Sequence, residues 1–173
     1  MQLMFVAESV LSDVHVNDAI IGIQLVNSPL VVRNCTMNSG GGVQLTGNKP
    51  VSLTLDHASF SARFGNTVSA STLNALDLSV TNSRLSAYES ATKVRCYGHL
   101  SIRITNSTVN SVRDKAVDAG GDVIRATVAA ENSIFTGQVQ IDHFTSALRH
   151  VVCLFAAFCE SSGHLESRDC FGS

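Results

Sequence analysis

Acidic residues are denser between residues 113 and 125 than elsewhere in the chain. Asp114, Asp118 and Asp122 recur there at four-residue intervals, with Arg113, Lys115 and Arg125 beside them. Glycosidases of the usual kind need two carboxylates, about 5 Å or about 6.5–9.5 Å apart, so these Asp are the candidate catalytic residues. Asp118 is expected to project outward from a strand. The balance of charge favours a second interpretation, a solvated, ion-paired face without a catalytic role.

Other residue types that carry chemistry lack the spacing they would need. The signatures of polygalacturonase-like enzymes (Asn-Thr-Asp, an adjacent Asp pair and Gly-His-Gly) are missing, the six His show no metal-ligand spacing, and no Cys-x-x-Cys occurs. Cys35 and Cys96 are expected to be small buried residues, while one disulfide among Cys153, Cys159 and Cys170 stays open. We expect no cofactor and no metal, and we favour a protein that is not an enzyme.

A five-residue pattern recurs along the chain and accounts for more of the sequence than these chemical motifs do. It reads polar, Asn or His, small, variable, apolar, and its second positions fall at nearly constant intervals, at Asn34, His57, Asn82, Asn106 and Asn132. A weaker copy places Glu8 one such interval before Asn34. A period of this length marks a repeat architecture.

Three short strand signals fall within each period. One precedes the Asn, as in Leu53-Thr54-Leu55; a second contains an apolar residue such as Phe60; a third follows, as in Val68-Ser69-Ala70. Without helices between them, these signals predict an all-β fold, a right-handed single-stranded parallel β-helix (β-solenoid) of about six coils. The rivals are a leucine-rich repeat, whose Leu-x-x-Leu spacing most coils lack, and an antiparallel sandwich, which would not require a pentad at fixed intervals.

The two ends of the repeat array are expected to differ. The sequence predicts β-helix repeats over residues 1–143, an apolar C-terminal cap over 144–159, and a polar tail over 160–173 with the composition of a disordered segment. Apolar spacing from Leu148 to Phe158 favours a helical cap, with a strand over 149–155 as the alternative. The N-terminus shows no comparable cap, so we expect either a segment of a longer repeat protein or end-to-end contact through an exposed strand edge.

Two interpretations of the recurrent Asn stay open. Asn tolerates a left-handed one-residue turn, and stacked Asn side chains can form a hydrogen-bonded ladder, here Asn34, His57, Asn82, Asn106 and Asn132. Asn34-Cys35-Thr36 and Asn106-Ser107-Thr108 also satisfy the N-glycosylation pattern, which makes Asn34 and Asn106 candidate acceptors. We favour the ladder, because a buried rung cannot easily carry a glycan.

Charge and hydropathy narrow the classes of partner. A net charge of −2 without a basic run predicts no nucleic-acid partner. The longest apolar stretch, residues 151–159, is much shorter than a membrane-spanning helix, so no membrane span is expected in this segment.

Several repeat segments resemble a known family of repeat proteins. Leu30-Val31-Val32-Arg33-Asn34-Cys35-Thr36, Leu78-Ser79-Val80-Thr81-Asn82-Ser83 and Ile102-Arg103-Ile104-Thr105-Asn106-Ser107 are similar to repeats of the trypanosome dispersed gene family proteins, a likeness that extends over most of residues 5–159. Many pectin-lyase-like adhesins share such motifs. The resemblance implies a cell-surface or secreted glycoprotein with a role in host adhesion. It supplies no catalytic residues, and those proteins are far longer than this chain.

The leading functional hypothesis is therefore a non-catalytic segment of a surface or secreted protein. Its Ser-, Thr- and Asn-rich face would bind host extracellular matrix or glycans. The alternatives are a carbohydrate-active enzyme (a polysaccharide lyase or hydrolase) that uses Asp114, Asp118 and Asp122, and a structural spacer within a larger protein.

Overall fold

The chain winds into a β-solenoid whose walls are two parallel β-sheets. The computed structural model describes residues 3–121, 123, 125–141, 151–156 and 165–166, with backbone alone for Ile21, 151–156 and 165–166. Every element in this part of the chain is a strand, and every pairing between strands is parallel. The predicted all-β solenoid of about six coils is confirmed.

One strand from each coil contributes to a seven-stranded sheet, here called sheet B, and five of its strands precede a recurrent Asn or His. Its members, in order along the solenoid, are β2 (Ser9–Ser12), β4 (Leu30–Arg33), β6 (Val51–Asp56), β9 (Leu76–Thr81), β12 (His99–Thr105), β14 (Arg125–Glu131) and β16 (Val151–Ala156).

The second and third strand signals of each coil form a ten-stranded sheet, here called sheet A. Its members are β1 (Leu3–Phe5), β3 (His15–Val26), β5 (Thr36–Gly47), β7 (Ser59–Ala62), β8 (Val68–Thr72), β10 (Arg84–Ala87), β11 (Thr92–Cys96), β13 (Thr108–Gly120), β15 (Ile134–Ile141) and β17 (Leu165–Glu166). In several coils the two predicted strands are one long strand. In β3 this strand has a bulge at Asp18, and bulges bend strands.

The core consists of rows of apolar side chains stacked along the solenoid axis. On sheet B, Leu53 pairs in register with Leu30 and Leu78, and all three are at most 1% exposed. On sheet A the predicted apolar anchors form another row, in which Phe60 lies between Met37 and Leu85. Burial of such a side chain contributes about 1.5–3 kcal/mol, so stacking supplies the core that a single coil lacks.

The first coil differs from the expected alignment. β2 pairs with β4 so that Ser12 lies opposite Arg33, which places Asp13, not Glu8, at the position equivalent to Asn34. Asp13 has a φ of 56°, like the other residues at this corner, so the assignment of Glu8 to the repeat was wrong. Asp replaces Asn there because both tolerate the left-handed region better than most residues.

The C-terminal segment also differs from its predicted form. Residues 151–156 form strand β16, which pairs with β14. The helical cap is therefore wrong there, and the strand alternative is confirmed for residues 151–155. Apolar spacing was ambiguous, and the strand satisfies the hydrogen-bonding edge of β14. Within the predicted polar tail, Leu165 and Glu166 pair with β15. Residues 142–150, 157–164 and 167–173 lie outside the described residues.

The N-terminal coil contributes strands β1 and β2, each with one described neighbour. Among the described residues, β1 pairs with β3 alone and β2 with β4 alone. Leu3, Phe5 and Leu11 pack against the core but are only partly buried. End-to-end contact through this edge stays a prediction.

Candidate functional site

The recurrent Asn and His residues form the predicted turn. Their backbones all lie in the left-handed region, with φ between 48° and 51°, at Asn34, His57, Asn82, Asn106 and Asn132. Each occupies the corner between a strand of sheet B and the next strand of sheet A. The pentad is therefore a turn device, as its position in the repeat indicates.

The side chains of these residues do not form the expected buried ladder. All five are exposed, and the described residues show one hydrogen bond between them, in which Asn106 Nδ2 donates to Asn82 Oδ1 at 3.4 Å. The His57 imidazole instead contacts Asp56 of its own coil at 2.8 Å. The left-handed turn was therefore predicted correctly, whereas the predicted side-chain ladder is limited, among the described residues, to the bond between Asn82 and Asn106.

The buried ladder is formed by the small residue that follows each turn residue. Ser107 Oγ donates to the Thr105 carbonyl at 2.7 Å and accepts the Ser83 N–H at 3.0 Å. Ser133 repeats this arrangement one coil later, and Ser83 accepts the Ala58 N–H one coil earlier. These Ser are at most 5% exposed, so each hydroxyl satisfies buried backbone groups of two adjacent coils. The recurrence of Ser in the third pentad position was the available sequence signal.

Exposure of Asn34 and Asn106 bears on the glycosylation alternative. Burial was the reason for disfavouring it, and both residues are exposed at an outer corner. N-glycosylation of Asn34 and Asn106 stays a prediction, but the argument that burial disfavours it does not hold.

The acidic cluster consists of separately partnered groups. The Asp118 side chain is 3% exposed, and its carboxylate contacts Arg95 Nη2 at 3.0 Å and Lys115 Nζ at 3.5 Å. The Asp114 carboxylate accepts the Ser90 hydroxyl at 2.7 Å. Asp122 lies outside the described residues. Asp118 faces the outside of sheet A as expected, yet two cations cover it, which fits the ion-paired interpretation.

The two Cys whose side chains the structure describes fit the predicted structural role. Cys35 and Cys96 are buried and free. Cys96 Sγ donates to the Asn74 carbonyl at 3.1 Å, and Cys35 Sγ donates to the Arg33 carbonyl at 3.0 Å. Cys153 lies in β16, of which only the backbone is described, and Cys159 and Cys170 lie outside the described residues.

A shallow groove of about 490 Å³ crosses the outer face of sheet B near the starts of its strands. One register row supplies Ser52, Asp77, Ser101 and Thr127, each one coil from the next. Each alternates with buried core residues, such as Leu76 and Leu78 on either side of Asp77, so the row points outward.

A second row forms the adjacent wall of the groove. His99 and Arg125 are register partners on β12 and β14, and Ala75 and Pro50 precede β9 and β6. Pro lies at a strand start because it cannot donate to the hydrogen-bonding ladder. The groove therefore combines flat apolar surface at Pro50 and Ala75 with polar groups in the following coils.

The ionisable groups of the groove have no partner in the part of the chain that the structure describes. Asp77, His99 and Arg125 are exposed, and none of their side chains forms a hydrogen bond or an ion pair with the described residues. By contrast, Asp18, Asp56 and Asp118 pair with His, Arg or Lys. The three groove side chains are thus available to a ligand.

Sequence reasoning missed this groove because its residues lie in different coils. Asp77, Ser101 and Thr127 each lie five residues before a recurrent Asn, and His99 and Arg125 each lie seven residues before one. Alignment of the coils on the pentad would have placed them in two rows.

The described part of the chain contains neither a cluster of three or more His, Cys, Asp or Glu side chains that could hold a metal ion nor a helix that could span a membrane. No protein-family model, curated protein or solved structure matches this chain. Function is therefore inferred from the groove and its chemistry.

Proposed function

We propose that this chain is a non-catalytic, glycan-binding segment of a cell-surface or secreted protein, and that the groove on sheet B is its binding surface. The observation that carries the proposal is a groove that crosses successive coils and presents polar side chains from three of them without a partner among the described residues. The proposed partners are glycans on host cells or in the extracellular matrix.

The repeating geometry of the groove suits a linear sugar chain. Adjacent strands of sheet B are about 4.8 Å apart, so the solenoid offers a hydrogen-bonding group at short, regular intervals. Ser52, Ser101 and Thr127 hydroxyls both donate and accept, as sugar hydroxyls do. Pro50 and Ala75 offer apolar surface for the less polar faces of sugar rings. Binding sites generally combine apolar surface with a few placed polar groups in this way.

The enzyme alternative receives less support from the described residues. A catalytic carboxylate must reach its substrate, whereas the Asp118 side chain is 3% exposed and paired with two cations. The Asp114 carboxylate is engaged by Ser90. Glycan binding needs no such reactive group, and we favour it for this reason.

A glycan array probed with the purified chain tests the proposal. Ser101→Tyr would fill the groove and is expected to abolish binding, since Ser101 lies in the central register row. Ser69→Tyr is the matched control, because Ser69 is a half-buried serine on the outer face of sheet A. Wild-type binding that both variants retain would remove the groove from the proposal. Absence of binding by the wild type to any glycan would favour the spacer alternative.

A further inference from the structure

We infer that the groove selects glycans that carry a carboxylate, with Arg125 as the anion-binding group and His99 as a second donor. This inference deepens the proposed function and depends on it. Arg125 begins strand β14, His99 begins β12, and the two residues are register partners on adjacent coils. Two nitrogen-donor side chains therefore stand side by side on one wall of the groove.

Among the described residues that line this end of the groove, the formal charge is positive. Arg125 forms no ion pair with the described residues, whereas Arg63 and Arg95 each pair with an Asp. Guanidinium presents two parallel N–H groups that match a carboxylate, a geometry that gives strength and specificity. Ser101 and Thr127, in the neighbouring row, can accept or donate hydrogen bonds to the same sugar.

Asp77 makes the groove asymmetric. It lies on β9, one coil from His99 and two coils from Arg125, in the same row as Ser101 and Thr127. A ligand carboxylate near Asp77 would meet like charge, while one near Arg125 would meet opposite charge. The ligand is therefore expected to place its carboxylate at the β12–β14 end and uncharged hydroxyls near Asp77.

Carboxylates occur on glycans from two sources, uronic acids within the chain and sialic acids at its ends. Four probes separate them: a hyaluronan oligosaccharide, the same oligosaccharide with its carboxyl groups reduced, sialyllactose and lactose. Calorimetric titration of the purified chain with each is expected to give tighter binding for one carboxylated sugar than for its neutral counterpart. Salt should weaken the carboxylated complex more, because the charges are exposed and screened.

Three variants locate the interaction. Arg125→Gln is expected to weaken binding of the carboxylated sugar about tenfold or more, by loss of a charge-assisted bond, and to leave the neutral sugar nearly unaffected. Asp77→Asn is expected to strengthen carboxylated binding about two- to fivefold. Arg103→Gln is the matched control, since Arg103 is an exposed Arg on β12 that does not line the groove.

The outcomes separate this inference from the proposed function. Equal affinity for carboxylated and neutral sugars, or equal weakening of both by Arg125→Gln, would overturn the inference and leave glycan binding intact. Weakening by Arg103→Gln as large as that by Arg125→Gln would also overturn it. If the wild-type chain binds none of these four sugars and none of the glycans on the array, both the inference and the proposed function are wrong.

Discussion

Thr92 occupies a core position that we expect Val to fill better. Its side chain is fully buried, and its hydroxyl has no hydrogen-bond partner in the part of the chain that the structure describes. Its register partners on both sides, Val68 and Val117, are also buried. Thr92→Val would replace the hydroxyl with a methyl group of similar size and complete an apolar row.

The expected gain follows from the cost of burying a hydroxyl without a partner. Protein mutational data place this cost at about 1–3 kcal/mol. Because Val also favours strands, we expect the free energy of unfolding to rise by about 1–2 kcal/mol. For a chain of 173 residues this corresponds to a rise in Tm of roughly 2–8 °C.

Thermal and urea denaturation followed by circular dichroism measure the effect. Thr67→Val is the matched control, because Thr67 is equally buried but its Oγ1 donates to the Ser86 carbonyl at 2.7 Å. That variant should lose about 1 kcal/mol. If Thr92→Val destabilises the protein as Thr67→Val does, the Thr92 hydroxyl has a partner in solution and the reasoning is refuted.

Two further predictions concern the corners of the solenoid. Ser107→Ala removes the acceptor of the Ser83 N–H and should lower the free energy of unfolding by about 1–3 kcal/mol in urea denaturation. Ser101→Ala, on the outer face, should change it by less than about 0.5 kcal/mol. Equal effects of the two substitutions would contradict the buried serine ladder. Asn132→Ala should lower the free energy of unfolding by about 1–2 kcal/mol, because the φ of 48° at this position strains residues with a Cβ. Asn132→Gly should be nearly neutral in the same assay. An Ala variant as stable as the wild type would contradict the argument that this turn requires Asn.

The fold was predictable because its determinants are local. Each left-handed corner consists of a single residue, which is Asn, Asp or His, and strand alternation repeats every two residues. Both signals are therefore visible in the sequence. The first coil was misaligned because Asp13 lies closer to Asn34 along the chain than the later corner residues lie to one another. The residues around Phe155 fit a helix or a strand, and pairing with β14 decides between them.

The candidate site was less predictable because it depends on register across coils. Proximity in sequence made Asp114 and Asp118 conspicuous, but each is engaged by its own partners in the fold. Asp77 and Arg125 are distant in the chain, yet the stacking of two further coils brings both to one groove. Residues that act together in a solenoid line up along its axis, perpendicular to the direction of the chain.

The buried serine ladder has a consequence for how the solenoid comes apart. Its hydrogen bonds link consecutive coils from Ala58 to Ser133. Ala58 has no hydroxyl that could accept a hydrogen bond from a backbone N–H of the preceding coil. In a stack where each coil contacts only its neighbours, cooperativity depends on such interfaces. The junction between the coils of Cys35 and Ala58 keeps its strand pairing but lacks this side-chain hydrogen bond. We therefore expect sub-global unfolding, measured by hydrogen exchange, to divide the described coils there.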